Sequence, residues 1–385
     1  ELTYRGDVSR SGLQAATFPL VLHDRFSSLP GSALLPVVGF KRELTLRDPK
    51  VRREQGLPEL KATEPSRLGV PAPGMLARDR VMVEAVISTS AGHFGIGQGR
   101  LLRRWETDGR AYFHYRSEAP IRSALAFFSV AGEPQSWPAG RVTLWTHTPT
   151  QLGAKDVNVL GARDTVALLE REVAPYPGSD LHLLAIPEIG PSGYALPQIV
   201  QVSHRLAFLA APAPGAGFNQ AYRRAAHETA HQWFGHLLGH GVAEERAFLV
   251  ESLAKYAELV VIERRYGAQA AAALVVFERD RYRQARLDPD RAVKPLIDAD
   301  ETEDMYSRAT LSFACLRHRI GDAPILAALR SVTQDMQVHD RPATSLGFVR
   351  ALKAASPSGQ GPAIDALFLG TRPIQSLERD LGCLR

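Results

Sequence analysis

The sequence predicts an α+β protein, an antiparallel β domain followed by a largely helical one. The first 150 residues carry short alternating apolar segments separated by turn residues. From about residue 155 the apolar spacing becomes helical. A chain of 385 residues is also long enough for two domains that each bury a core. The division is placed at 1–150 and 151–385, with no internal repeat on either side.

In chain order, SLPGSALLPVV and LKATEPSRLGVPAPG are rich in proline and glycine and read as irregular connections. RVMVEAVIST at 80–89 alternates as a half-buried strand does. RLLRRWE and RAYFHYRS follow, joined through Thr107, Asp108 and Gly109. An Asp-Gly pair between two alternating runs predicts a tight hairpin, because glycine tolerates the positive φ of such a turn. RVTLWTHT at 141–148 is a further strand. VLGARDTVALLEREVAPYP then has helical spacing, LHLLAIPE reads as a strand, and helices are expected thereafter.

Composition excludes several classes. With 45% apolar and 23% charged residues the chain is an ordinary globular protein. Its formal charge of +5 comes from arginines scattered among acids, as in FERDRYRQARLDPDR, and no dense basic run is present to grip nucleic acid. The longest apolar run, AQAAAALVVF at 268–277, is about half the ~20 residues of a membrane span. No charged-then-apolar signal pattern opens the chain, and a start at Glu1 is expected for a mature or excised piece. The two cysteines, Cys315 and Cys383, lie far apart without metal spacing, so neither a disulfide framework nor a thiolate metal site is expected.

HETAHQWFGHLLGH at 227–240 concentrates the candidate chemistry. Asn219 is a helix start signal and Gly239 and Gly241 are stops, which predicts a helix over 220–238. At about 100° per residue, His227 and His231 lie one turn apart on one face, at chelating distance. His236 points the opposite way and His240 falls at or past the stop, so both are expected to be surface or interhelical histidines. Glu228 can reach a water held by the histidine pair but is poorly aimed to bind a metal itself. This is the H-E-x-x-H arrangement of zinc hydrolases. Two imidazoles and one carboxylate leave a fourth tetrahedral position for a water, and an adjacent glutamate can act as general base.

A third ligand is available downstream. RAFLVESLAKYAELVVIERRYG predicts a second helix with apolar residues at 249, 253, 256, 257 and 260. Glu251, in its first turns, can face the histidine pair. Glu258, seven residues on and nearly in phase, either orients a ligating imidazole from behind or is an ordinary paired carboxylate.

HETAHQWFG followed by ESLAKYAEL resembles the gluzincin zinc aminopeptidases, the aminopeptidase N family. The link between the second histidine and Glu251 is one residue longer than in better-known members. That longer link and the ESLA-Y wording are most similar to the aminopeptidase-like domain fused to bacterial ABC-transporter permeases. VVGFKRELTLRDPKVRREQGLPEL and GRAYFHYRSEAPI are similar to the β domain of that subgroup. The resemblance implies a thermolysin-like zinc-peptidase domain, with zinc helices at about 220–265 and a helical end from about 306. It implies one zinc per chain on His227, His231 and Glu251, Glu228 as general base, and a peptide substrate. The family's oxyanion-stabilising tyrosine precedes a Lys-Gly pair by two residues; here MYSRATLSFACLRHRIGD carries Arg308 and Ala309 at that pair, which makes Tyr306 the match. The family's G-x-M-E-N segment, whose glutamate binds the substrate amine, corresponds to PEIGPSGYALPQIV at 187–200. Gly193, Tyr194 and Ala195 stand there, no carboxylate is in register, and Glu188 is only nearby. Exopeptidase specificity therefore does not follow from the resemblance. The resemblance further implies an extracytoplasmic domain tethered to permease segments outside this chain. The alternative expectation is a zinc-containing peptide-binding or regulatory module of a transporter with little turnover.

Overall fold

The computed structural model describes residues 21–31, 46, 49–58, 80–187, 192–209, 217–239, 248–285, 293–339 and 343–383. Strands β1 (Val21–Leu22), β2 (Phe26–Pro30), β3 (Arg80–Val81), β4 (Glu84–Ser90), β5 (His93–Ile96), β6 (Arg100–Thr107), β7 (Arg110–Arg116), β8 (Ile121–Arg122) and β9 (Ala126–Ala131) build the N-terminal part. They form a four-stranded sheet of order β1-β2-β9-β5, a three-stranded sheet β4-β7-β6 and the pair β3-β8, antiparallel throughout. The β6-β7 hairpin turns at Asp108 and Gly109 with φ of 51° and 71°, the two positive values that a two-residue turn of matching twist needs. Alternation decides the packing: Ala111, Phe113 and Tyr115 of β7 are buried with Phe94, Ile96, Phe128 and Val130. Of SLPGSALLPVV, read as an irregular connection, Ser28, Leu29 and Pro30 instead belong to β2 through pairing with the distant β9, while residues 32–38 and the second proline-rich segment at 60–74 lie outside the described residues. Most of the 37–60 stretch lies outside them too. Its described part includes helix α1 (Pro49–Glu54).

Strands β10 (Gln135–Ala139), β11 (Val142–His147), β12 (Asp180–Ile186), β13 (Gly193–Leu196) and β14 (Ile199–Ser203) form a mixed five-stranded sheet of order β10-β11-β12-β14-β13. This sheet crosses the division drawn at residue 150. β10 and β11 form an antiparallel hairpin, as their sequence suggests, but β11 then pairs in parallel with β12. The crossover is helix α2 (Val157–Glu172), so the chain makes a strand-helix-strand unit whose first strand a boundary at 150 would detach. Local alternation reveals a strand but not a partner more than 30 residues away. β12 is apolar along its length because both faces are covered. Leu181 and Leu183 face the helical core, while Leu184 and Ile186 face the N-terminal sheets.

Helices α3 (Gln220–Ala230), α4 (Leu253–Tyr266), α5 (Ala268–Ala285), α6 (Ala309–Ile320), α7 (Ala323–His339), α8 (Ser345–Ala355), α9 (Gly361–Phe368) and α10 (Ile374–Asp380) complete the fold. The architecture is α+β, with N-terminal antiparallel sheets and C-terminal helices. Gly161 on α2 lets α3 approach closely, since a Cβ there would stand 2.6 Å from the Tyr222 carbonyl oxygen. Asn219 caps α3 by accepting from the Tyr222 amide at 2.9 Å. No helix among the described residues is long and apolar enough to cross a membrane.

Two expectations change. The helix over 220–238 is not continuous: α3 ends at Ala230, and the following turns break at Phe234 (φ −94°, ψ 96°) and Gly235 (φ 118°). Gly235 takes a conformation that residues with a Cβ avoid. The redirected carbonyls are used, Phe234 accepting from His231 Nδ1 and Gly235 from the Arg122 guanidinium. The cysteines, read as unpaired, form a disulfide. Cys315 of α6 and Cys383 beyond α10 are brought to a Cα separation of 5.0 Å across 68 residues of chain.

Candidate active site

Helix α3 places His227 and His231 on one buried face, with ring centroids 4.8 Å apart. Glu251 arrives from the helical turn Phe248–Ser252 that leads into α4. Phe248 anchors that turn among Phe313, Phe348 and Phe368, at centroid distances of 6.4, 5.7 and 5.9 Å, so the C-terminal helices hold the carboxylate in place. Glu251 Oε2 lies 3.2 Å from His227 Nε2 and 3.5 Å from His231 Nε2. One ligand atom from each of the three residues falls within 4.8 Å of the others.

This donor set fits a zinc ion. Bonds of ~2 Å in tetrahedral geometry put neighbouring ligand atoms about 3.3 Å apart, which is the spacing of the carboxylate oxygen from each imidazole. The other ring nitrogens are also committed. His227 Nδ1 lies 3.2 Å from Glu258 Oε2, and His231 Nδ1 lies 3.1 Å from the Phe234 carbonyl. With the Phe234 carbonyl bonded to Nδ1 of His231 and the Glu258 carboxylate set against Nδ1 of His227, both Nε2 atoms are left for the common point.

The site is electrostatically tuned for a cation. Burial works against protonating His227, yet hydrogen bonds from Glu251 and Glu258 and the Glu228 charge outweigh it and lift the imidazole to about 9. Burial likewise opposes ionising Glu251, but the His231 charge and bonds from both histidines hold its carboxyl well below the usual range. Without a metal the three residues attract a proton; a divalent ion satisfies the same potential.

Glu228 stands beside the cluster, buried against the backbone of β13. A Cβ at Gly193 would lie 2.2 Å from its Oε1, so only glycine leaves room for this carboxylate. Burial raises the Glu228 carboxyl, a nearby Glu251 charge adds to that, and the His227 and His231 charges pull the other way; the net direction is upward. Tyr306 faces the cluster from the helical turn Asp304–Arg308, its ring 5.7 Å from that of His227. Burial first, then the Glu251 charge and hydrogen bond, push its phenol well up, so it stays a neutral donor. Its turn is pinned on several sides. Ser252 Oγ donates to the Met305 carbonyl at 3.0 Å, Ser307 Oγ to Glu278 at 2.7 Å, and Arg308, fully buried, to the Lys294 carbonyl at 2.5 Å.

Behind the histidines lies a charge network that sequence reasoning glimpsed only at Glu258. Lys255 Nζ reaches Glu258 and Glu278 at 2.6 Å each, and Arg223 reaches the same two carboxylates at 3.2 and 3.0 Å. Lys255 and Glu278 sit about one helical turn from their neighbours on separate helices. Their union depends on how α4 and α5 pack, which no local pattern encodes.

His227, His231, Glu228, Glu251, Glu258 and Tyr306 line one cavity of about 690 Å³, open along β13 through Gly193, Tyr194 and Ala195. Arg122 enters it from the N-terminal strands, a contribution the sequence did not signal. His236 is not among the converging donors but lines the same cavity, because the break at Gly235 redirects the chain. His240 and Glu188 lie outside the described residues.

The fold is that of the M1 zinc metallopeptidases. The structure is similar to an M1 zinc metallopeptidase from Deinococcus radiodurans with a TM-score of 0.57 and 18% identity, covering 77% of this chain and 65% of that one. An alanine variant from the same organism, bound to a Tyr-Ser-Ala substrate, gives a TM-score of 0.56 and 18% identity over 77% and 65%. A two-domain M1 zinc metallopeptidase variant bound to L-arginine gives 0.56 and 16% over 78% and 64%. The match thus spans less than two thirds of those proteins, and at such identity the likeness is one of fold. No family model matches the sequence, and no curated protein matches it.

Proposed function

We propose that this chain is a zinc metallopeptidase domain, aminopeptidase-like in its fold, that hydrolyses peptide bonds. The observation that carries the reading is convergence: two imidazoles and a carboxylate meet at one point, flanked within the same cavity by Glu228 and Tyr306. His227, His231 and Glu251 would hold the ion. Bound there, zinc supplies Lewis acidity that lowers the pKa of a water to near 7 and polarises the scissile carbonyl.

The protein's own groups do the rest. β13 is the edge strand of its sheet, paired only with β14 among the described strands, so an extended peptide can add along its open side. Glu228 removes the proton of the attacking water and delivers it to the leaving amine; its raised carboxyl brings it closer to the working pH of such a base. Tyr306 donates to the oxygen that gains charge as the carbonyl carbon becomes tetrahedral, a bond worth most in the transition state. Glu258 orients His227, and the Phe234 carbonyl orients His231. The presence of Glu228 and Tyr306, which a binding module does not need, favours turnover over a purely regulatory role.

An extracytoplasmic location, with attachment to permease segments outside this chain, belongs to the same proposal. The Cys315–Cys383 disulfide supports it, since such bonds persist in oxidising compartments. Metal analysis of the purified protein and of His231→Ala tests the reading, with one zinc per chain expected in the first and none in the second. Cleavage of N-blocked and free-amine peptides, with Glu228→Gln as control, tests the chemistry. Turnover that persists in Glu228→Gln, or native protein without zinc, rejects it.

A further inference from the structure

Glu278, on α5, is wholly buried and does not border the cavity. Its two oxygens serve different parts of the site. Oε1 accepts from Lys255 Nζ at 2.6 Å and from Arg223 Nη1 at 3.0 Å, and both cations also bond Oε1 of Glu258, at 2.6 and 3.2 Å. The other oxygen of Glu258 stands 3.2 Å from His227 Nδ1. One line of contacts thus runs from Glu278 to the back of a candidate zinc ligand.

Glu278 Oε2 is committed to the wall that carries Tyr306. It accepts from Ser307 Oγ at 2.7 Å, with the Arg281 guanidinium farther off at 3.7 Å. Ser307 follows Tyr306 directly in the chain and is itself fully buried. The same turn has a second hold on α5: Tyr282, one helical turn after Glu278, donates from its hydroxyl to Asp304 Oδ1 at 3.0 Å. Two side chains on one face of α5 therefore fasten the tyrosine-bearing turn. Such fastening matters to chemistry, because a catalytic group misplaced by ~1 Å can lose on the order of 100-fold in rate.

We propose that Glu278 is a positioning residue that sets His227 and Tyr306 relative to one another. Its Oε1 holds the imidazole through Lys255, Arg223 and Glu258, and its Oε2 holds the phenol through Ser307. This rests on the peptidase reading and adds to it a residue that meets neither metal nor substrate. Glutamine at 278 keeps the volume but loses the charge that both cations share. Either orientation of its amide puts a donor where an acceptor stood. Alanine at 307 removes the tyrosine arm alone.

The test reads the two arms separately. Zinc affinity, from competition with a zinc-binding dye, should fall roughly tenfold in Glu278→Gln and stay as in the native protein in Ser307→Ala. In zinc-saturated protein, Ser307→Ala should lower kcat for a cleaved peptide roughly tenfold with KM little changed. In the Tyr306→Phe background the same substitution should cost nothing further. A phosphinic peptide, whose tetrahedral phosphorus presents the oxygen that Tyr306 would meet, gives the same cycle as a ratio of Kd values and needs no turnover. Melting temperature reports whether each variant is folded. If Glu278→Gln is not, Glu278→Asp, which keeps the charge on a shorter side chain, is read in its place. Unchanged zinc affinity in the folded Glu278 variant, no loss in Ser307→Ala, or a Ser307→Ala loss of equal size with and without the Tyr306 hydroxyl overturns the proposal, since a purely structural role lowers the melting temperature without these signatures. Native protein without zinc, or turnover retained in Glu228→Gln, instead rejects the peptidase reading.

Discussion

Replacing Glu258 by glutamine removes one charge from a buried network while keeping its volume. Glu258 is 1% exposed and has three partners: His227 Nδ1 at 3.2 Å, Lys255 Nζ at 2.6 Å and Arg223 at 3.2 Å. After the change two buried cations share Glu278 alone, through a single oxygen that both already contact. Breaking a buried pair by removing one partner typically costs ~3–5 kcal/mol, which corresponds to a melting shift on the order of 10 °C in the metal-free protein. The second effect falls on the metal. A neutral amide polarises the His227 ring less and can turn its NH2 toward Nδ1, so zinc affinity should fall roughly 10–100-fold. Thermal melts in chelator measure the first effect and competition with a zinc-binding dye the second. The pH dependence has a definite sign. Burial resists ionising Glu258, but Arg223 and Lys255 hold its carboxyl well below the ordinary range. With a folded value below the unfolded one, its contribution is full above the ordinary carboxyl range and is lost as pH falls towards the folded value. The gap between native and Glu258→Gln melts should be flat near neutrality and narrow only below about pH 4. Unchanged melts together with unchanged zinc affinity would refute the reasoning.

Tyr306→Phe should lower kcat by roughly 10²–10³ while leaving zinc content unchanged, the pattern of a donor that acts in the transition state; equal loss through KM alone would count against that role. Gly193→Ala places a methyl 2.2 Å from Glu228 Oε1, so hydrolysis should drop sharply although the three converging donors lie elsewhere, a split read by activity beside metal analysis. Reducing the Cys315–Cys383 bond, or replacing both residues by serine, should lower stability by up to about 4 kcal/mol, because the loop it closes is long. Denaturant melts with and without reductant check this, and identical midpoints would show that the bond is not formed in solution.

What the sequence determines by itself is whatever depends on local periodicity. The spacing of His227 and His231 places them on one face because an α-helix turns once in about 3.6 residues. The Asp108-Gly109 pair makes a hairpin because its φ values require it. The change from alternating to helical patterning marks two kinds of architecture for the same reason. Even there the limit is local: Gly235 lies within a helical pattern and breaks the helix, since positive φ at one residue is invisible to an average over fifteen. Tertiary structure decides everything that joins distant segments. Parallel pairing of β11 with β12 carries two strands across the division at 150. Aromatic packing around Phe248 aims Glu251, and Ser252 ties that turn to the one bearing Tyr306. The α4-α5 contact assembles Lys255 with Glu278, the last helices bring Cys383 to Cys315, and β8 brings Arg122 to the cavity. Each is a meeting of side chains whose residues carry no mutual signal in the chain. Burial of apolar faces sets the meeting places, and the charges and thiols that those faces carry along become neighbours as a result.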